Sequence, residues 1–265
     1  MWCQDPFLSA LKAFGYSVVR LPRPDLAPLH LLARLGRDLE ELGRLQVVLP
    51  PGRHVPVPTV VIGRPCPALS GQRSASLDAG LGLSLLASIV SSLGGSPQVV
   101  RLLGRRARRV TFEFGEVEED GVALAELDQY LADAHVNARA RHVARLLESD
   151  DLYVTTSIVK SRSFAVSATD EGGVELEFDV PAVGALAGAE VKVSGAAVGA
   201  TTLRFEGQQP LGFGFRALRL FYDSGRYTAF KPLRPGQLAL ARDAANPEWY
   251  QCDGAFARVT VSETG

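Results

Sequence analysis

The sequence predicts an α+β fold, a twisted and largely antiparallel sheet with peripheral helices. Three observations carry this. Strand-like stretches crowd the chain from Leu152 onward, helical periodicity sits in the first 150 residues, and no βαβ rhythm links the two. With 265 residues, 46% of them apolar, the chain can bury a sizeable core. A net charge of −1 and a pI near 6.4 argue against a nucleic-acid partner.

Taken in order, Asp5 is a good N-cap and Pro6 a good first helical residue. Phe7, Leu8, Leu11 and Phe14 then share one helical face, and Gly15 ends the run. Residues 16–21 read as a strand that stops at PRPDLAP. Residues 29–49 are apolar with scattered charge and fit helix or strand equally. The stretch PPGRHVPVP demands extended backbone. Residues 110–117 (VTFEFGEV) alternate as a strand, with Gly121 as the break before a helix over 122–134, which shows Leu124, Leu127 and Leu131 on one face. Residues 139–147 read as a further helix. LYVTTSIVKSRSFAVSA, VELEFDV, AEVKVSG, TTLRFEG, LGFGFRALRLFY and RYTAF follow as strands, several parted by turns such as DEGG and DSGR.

Catalytic constellations are missing from the sequence. His30, His54, His135 and His142 lie apart without metal-ligand spacing, and there is no GxSxG elbow, P-loop lysine or CxxC pair. Cys3, Cys66 and Cys252 form neither a metal motif nor a disulfide framework. The expectation is a protein that is not an enzyme and holds no metal or cofactor. The start lacks a basic n-region and apolar run, so a cytoplasmic resting location is expected.

One stretch, LDAGLGLSLLASIVSSLGGSPQVV, carries no charge between Asp78 and Arg101. At helical spacing Leu81, Leu85, Ile89 and Leu93 make a face, with Leu86 and Val90 beside it. At period two, Leu77, Ala79, Leu81, Leu83, Leu85, Ala87 and Ile89 are all apolar, against a mostly small or polar set. Both periods are present. Its glycines, Pro97 and serines speak against a membrane helix, whereas a membrane strand needs only about 9–11 residues with one apolar side. Val174, Leu176, Phe178 and Val180 repeat the alternation against Glu175, Glu177 and Asp179. Val191 and Val193 do so again against Glu190, Lys192 and Ser194. An ordinary half-buried sheet shows the same pattern. Arg101, Arg105, Arg106, Arg108 and Arg109 then form a basic patch that fits a solvated face, a nucleic-acid patch (against the overall pI) or anionic lipid headgroups, the last at about 1 kcal/mol per basic residue near such a surface.

GYSVVRLPR, PLHLL, VTFEF, LYVTTSIVKS and LGFGF, in this order, resemble the bacterial gasdermins over essentially the whole chain. The resemblance implies a gasdermin N-terminal-domain-like fold and an autoinhibited pore-former. A protease, encoded nearby, removes a C-terminal peptide from a cytoplasmic monomer. Protomers then assemble as a homo-oligomer and insert β-hairpins into the inner (cell) membrane, killing the producing cell as antiphage defence. The hairpins align with residues 74–117 and 153–205. Leu77, Leu81, Leu83, Leu85, Val174, Leu176, Phe178, Val191 and Val193 are then the membrane-facing candidates, and Cys3 matches the family's palmitoylated cysteine.

The implied division is a pore-forming core, 1–242, and an inhibitory peptide, 243–265, with Arg242–Asp243 the candidate cut. Four acids against one arginine leave the peptide at −3 and the core at +2. Trp249, Tyr250 and Phe256 are its expected contacts with the sheet, the other reading of the tail being a plain C-terminal strand that completes the fold. Two other readings stay open: a lipid-anchored β-rich binding module that never inserts, and an α+β enzyme with an unrecognised site.

Overall fold

The computed structural model describes residues 6–35, 38–74, 76–100, 106–137, 139–195, 200–233 and 239–240. Helix α1 (Pro6–Ala13) turns into β1 (Ser17–Arg23) through Gly15, whose φ of 82° suits glycine. Strands β2 (His30–Leu35) and β3 (Asp38–Arg44) lie antiparallel and run into the single turn α2 (Leu45–Val48). Next come β4 (Val60–Pro65), the two-residue β5 (Leu77–Asp78), α3 (Ala79–Ser92), β6 (Arg109–Gly115) and β7 (Glu118–Val122). Helices α4 (Leu124–Asp133) and α5 (Arg141–Glu148) precede the long β8 (Leu152–Thr169). The described chain ends with α6 (Val180–Ala187), β9 (Val191–Gly195), β10 (Thr202–Asp223), β11 (Arg226–Pro232) and β12 (Ala239–Leu240).

The axis of the sheet is the antiparallel pair β8–β10, of 18 and 22 residues. One edge of β8 is lined in turn by β2, β7 and β6, and the far edge of β10 by β11, β1 and β9. All of these pairings are antiparallel. Among the described residues the parallel ones are those of β12, which bridges β1 and β3. At one end of the axis α4 and α5 cover the sheet, with Leu127, Tyr130, Leu131 and Leu147 packed on Leu152, Val154, Leu218 and Leu220.

The fold class is as the sequence predicts, with several local differences. The two segments TTLRFEG and LGFGFRALRLFY are one strand, because a register shift between Glu206 and Leu211 lets β10 carry Pro210, which has no N–H to donate. Gly121 does not end a strand. It lies inside β7, opposite Ser157. Residues 29–49 resolve into β2, β3 and α2, and β4 is a strand that the sequence reading did not pick out. VELEFDV is not a strand either. The edges of β10 beside it are already taken by β8 and β9, so it makes only isolated bridges, Thr169 with Glu175 and Phe178 with Ala200. Val180 then starts α6, with Pro181 in its first turn and Asp179 capping the N–H of Ala182.

Helix α1 lies over Leu69, Val117, Val159 and Phe213 through Leu11, and Tyr16 follows it into the same cluster. There Glu119 of β7 gathers four other segments. It accepts hydrogen bonds from Tyr16 Oη at 2.7 Å and from Ser157, and pairs with Arg64 at 3.1 Å and Arg216 at 3.5 Å. Arg216 also donates to the Phe14 carbonyl at 2.6 Å and sits 4.2 Å over the Tyr16 ring. Burial pushes the Glu119 carboxyl up, but the Ser157 and Tyr16 hydroxyls and the two guanidiniums outweigh it and hold the group below its usual range. A depressed pKa stabilises the fold at neutral pH, and that stability is lost as pH falls through the folded value. Glu119→Gln should therefore unfold at a lower temperature than wild type at pH 7, the gap closing on acidification. Equal pH profiles of the melting temperature would show that Glu119 holds nothing.

Candidate functional site

At the end away from α4 and α5 the sheet is five strands wide, in the order β9–β10–β8–β6–β5. Directly opposed residues share a face, so the registers sort the side chains. One face holds the rows Val193–Phe205–Phe164–Phe114, Leu203–Val166–Phe112 and Ala168–Val110–Leu77. The Phe164 and Phe205 rings stack at 5.1 Å. The other face holds Lys192–Glu206–Ser163–Gly115, Ser194–Arg204–Ala165–Glu113 and Thr202–Ser167–Thr111. Arg73 adds an ion pair to Glu113 at 2.8 Å. One side is apolar throughout. The other is small, polar or charged.

The apolar face is roofed by α3 and α6. Leu86, Ile89, Val90 and Leu93 of α3 and its exit, with Val183 and Ala187 of α6, are buried in one cluster with the sheet. Asp78 starts α3 by accepting the Gly80 N–H at 2.9 Å. Gly82 lets the helix sit directly on β6, since a Cβ there would lie 2.5 Å from Cβ of Val110. The exit of α3 is tied to the end of α6 by the Ser96 N–H, which donates to the Ala187 carbonyl at 2.9 Å. At Gly95 a Cβ would meet Val191 at 2.7 Å. The two helices thus hold each other as well as the sheet, and neither carries a charged side chain.

The energetics follow from burial. Phe112, Phe164 and Phe205 are nearly inaccessible, and burying such a side chain contributes about 1.5–3 kcal/mol. A bare apolar face is therefore costly in water and needs a cover, either the roof or hydrocarbon. The roof does not itself span a bilayer. The 14 residues of α3 reach about 21 Å, against a hydrocarbon core of about 30 Å, and among the described residues no helix is long and apolar enough to cross.

The model of the Bacterial Gasdermin Family matches residues 19–226. The chain is 44% identical over 264 residues to a gasdermin of a Desulfuromonadales bacterium, spanning 98% of this chain and 99% of that one. The chain belongs to the bacterial gasdermin family. It is also 42% identical over 247 residues to a gasdermin of Lysobacter enzymogenes, covering 93% of this chain and 90% of the relative. The fold is shared with the bacterial gasdermin structure from Bradyrhizobium tropiciagri, at TM-score 0.60 and 16% identity over 90% of this chain and 98% of that one. Family membership makes this gasdermin a pore-forming protein.

Of the membrane-facing candidates in this gasdermin, Leu77, Leu83, Leu85, Leu176, Phe178, Val191 and Val193 all meet in the roofed cluster. Leu81 lies on α3, with its side chain outside the described ones. Val174 is apart from them, 64% exposed. Residues 79–92 are helical here, not a strand, because the Asp78 cap and the fit of Gly82 on Val110 favour the helical period. Arg106, Arg108 and Arg109 are exposed at the start of β6, beside Asp78. Cys3, Arg101, Arg105, Arg242, Asp243, Trp249, Tyr250 and Phe256 lie outside the described residues. The sequence reading missed Val110, Phe112, Phe114, Phe164, Val166, Leu203 and Phe205 as parts of the site. Their signal is the alternation in VTFEF, SFAVSA and TLRFEG, which marks a strand without saying that five such strands share a face.

Proposed function

We propose that this gasdermin is an autoinhibited pore-former whose apolar sheet face exchanges its helical roof for lipid. The observation that supports the reading is the sorting of the five-stranded end into one apolar and one polar face. This is the lipid-out, water-in arrangement of a membrane barrel wall. Unrolling α3 and α6 into strands lengthens the same ladders and moves Leu77, Leu83, Leu85, Leu176 and Phe178 from the roofed core to hydrocarbon. Open strand edges are not tolerated in lipid, so insertion is coupled to side-by-side assembly of many copies.

Proteolytic loss of 243–265 at Arg242–Asp243 or nearby releases the resting monomer, on this reading. Trp249, Tyr250 and Phe256 are the tail's inhibitory contacts, and its removal leaves a core of net +2. A palmitoyl group on Cys3 adds about 0.8 kcal/mol per buried CH₂, too little from one chain for firm anchoring, and the arginines at 101–109 supply the second attraction. The protein is cytoplasmic before the cut and in the cell membrane after it. Its partners are a protease and the bilayer, with no cofactor beyond the lipid, no catalysis and no nucleic acid. The output is death of the producing cell in defence against phage.

Dye release from vesicles of phosphatidylcholine and phosphatidylglycerol tests the reading, with the full chain measured before and after cutting in the tail. Release only after the cut is expected. Membrane binding without release would replace the pore by a lipid-anchored module.

A further inference from the structure

We propose that the resting register between β8 and β10 is kept when the hairpin lengthens, so that Leu176 comes opposite Val193, Glu177 opposite Lys192 and Phe178 opposite Val191. The inference rests on the pore reading above and specifies which residues set the inserted hairpin.

Near the roofed end, β10 pairs with β8 without a slip over Thr202–Ser167, Leu203–Val166, Arg204–Ala165, Phe205–Phe164 and Glu206–Ser163. The irregular positions lie further on, past Glu206. Continuing this frame, one residue back on β10 for each residue forward on β8, pairs residues 174–180 with 189–195. Val174, Leu176 and Phe178 then fall opposite Gly195, Val193 and Val191, on the side that already holds Phe164 and Val166. Glu175 and Glu177 fall opposite Ser194 and Lys192, on the side of Ser163 and Ser167. A slip of one residue would set Glu177 against an apolar partner and turn one strand inside out. The register of 163–167 owes nothing to the sequence of 174–195, yet it brings both alternating patterns into phase and joins Glu177 to Lys192, leaving the acids Asp179 and Glu190 opposed beside the tip, on the polar side.

Length agrees. The 10 residues 171–180 add about 33 Å of strand beyond Asp170, which this frame puts on the apolar side and so at the membrane surface, within the roughly 9–11 residues a spanning strand needs. Residues 181–188 remain for the tip.

The resting fold occupies a different pairing. There β9 lies beside β10, with Lys192 opposite Glu206 and Val193 opposite Phe205, while Phe178 bridges Ala200. In the lengthened hairpin β9 is the end-to-end continuation of β10. The same lysine cannot face Glu206 and Glu177 at once, so the two pairings exclude each other and report the two states. Glu177 and Lys192 are both exposed at rest, and replacing them removes no core packing.

The test uses the full chain with a specific protease sequence inserted between Arg242 and Asp243, and dye-loaded vesicles of phosphatidylcholine and phosphatidylglycerol. Opposed residues in an antiparallel pair have Cα atoms about 4.5–5.5 Å apart, within disulfide range. The Lys192→Cys/Glu206→Cys pair, oxidised before cutting, should abolish dye release until reductant is added. The Glu177→Cys/Lys192→Cys pair should form no internal disulfide in the uncut chain and form one, identified by peptide mass, in the cut, membrane-bound chain. Release from the oxidised 192–206 variant, or membrane-bound protein that leaks without a 177–192 link, overturns the register. If the cut wild-type chain releases no dye, the pore reading itself fails, and the two failures are told apart.

Discussion

Gly82→Val is expected to unseat α3 and make the uncut chain leak. A Cβ at this position lies 2.5 Å from Cβ and 2.9 Å from a methyl of Val110, and a β-branched strand residue has no free rotamer to yield. Overpacking of this kind costs about 1–3 kcal/mol, and the roof must lift from β6 to relieve it. The cost falls on the resting state alone, because in the proposed strand form 82 and 110 are no longer stacked helix on sheet. Gly82→Ala separates two effects. It gains about 1 kcal/mol of helix propensity yet meets the same contact, so it should be less destabilising than valine without becoming neutral. Melting temperature and dye release of the uncut variants measure both. An uncut Gly82→Val chain that is as stable and as tight as wild type would show that the roof does not hold the sheet closed.

Val193→Arg should have the opposite consequence, a chain that rests normally and does not permeabilise. Val193 is half-buried on β9, at the margin of the sheet, where a long side chain can reach water with its charged end. On the lipid face of an inserted strand the same arginine costs about 2–4 kcal/mol near the bilayer midplane, repeated in every protomer of the assembly. Ser194→Arg is the control, since it projects to the polar face beside Arg204. Cut Ser194→Arg should release dye and cut Val193→Arg should bind vesicles without release. Equal release from both would remove the assignment of faces on which the pore reading stands.

Much of the fold was legible in the sequence. Pro6 and Gly15 bracket α1, and LYVTTSIVKSRSFAVSA and RYTAF are strands close to where alternation puts them. Residues 77–92 were legible only as an ambiguity. Leucines alternating with glycine and serine satisfy a period of two and a period of 3.6 together, and small residues penalise neither. VELEFDV misled for the complementary reason. Its alternation is good, but a strand needs a free edge, and β8 and β9 already occupy both sides of that stretch of β10.

By itself the sequence determined the fold class, the family, the uncharged stretch beside the arginines and the alternating segments that suit two surroundings. It did so because periodicity and composition are local and record which side of an element is apolar. Only the tertiary structure decided that Phe114, Phe164, Phe205 and Val193, distant along the chain, form a single row, and that α3 and α6 together cover it. Register is a property of pairs of strands, and a cover is a property of what packs above them. Neither is encoded at any one position, so both appear only when the chain is folded.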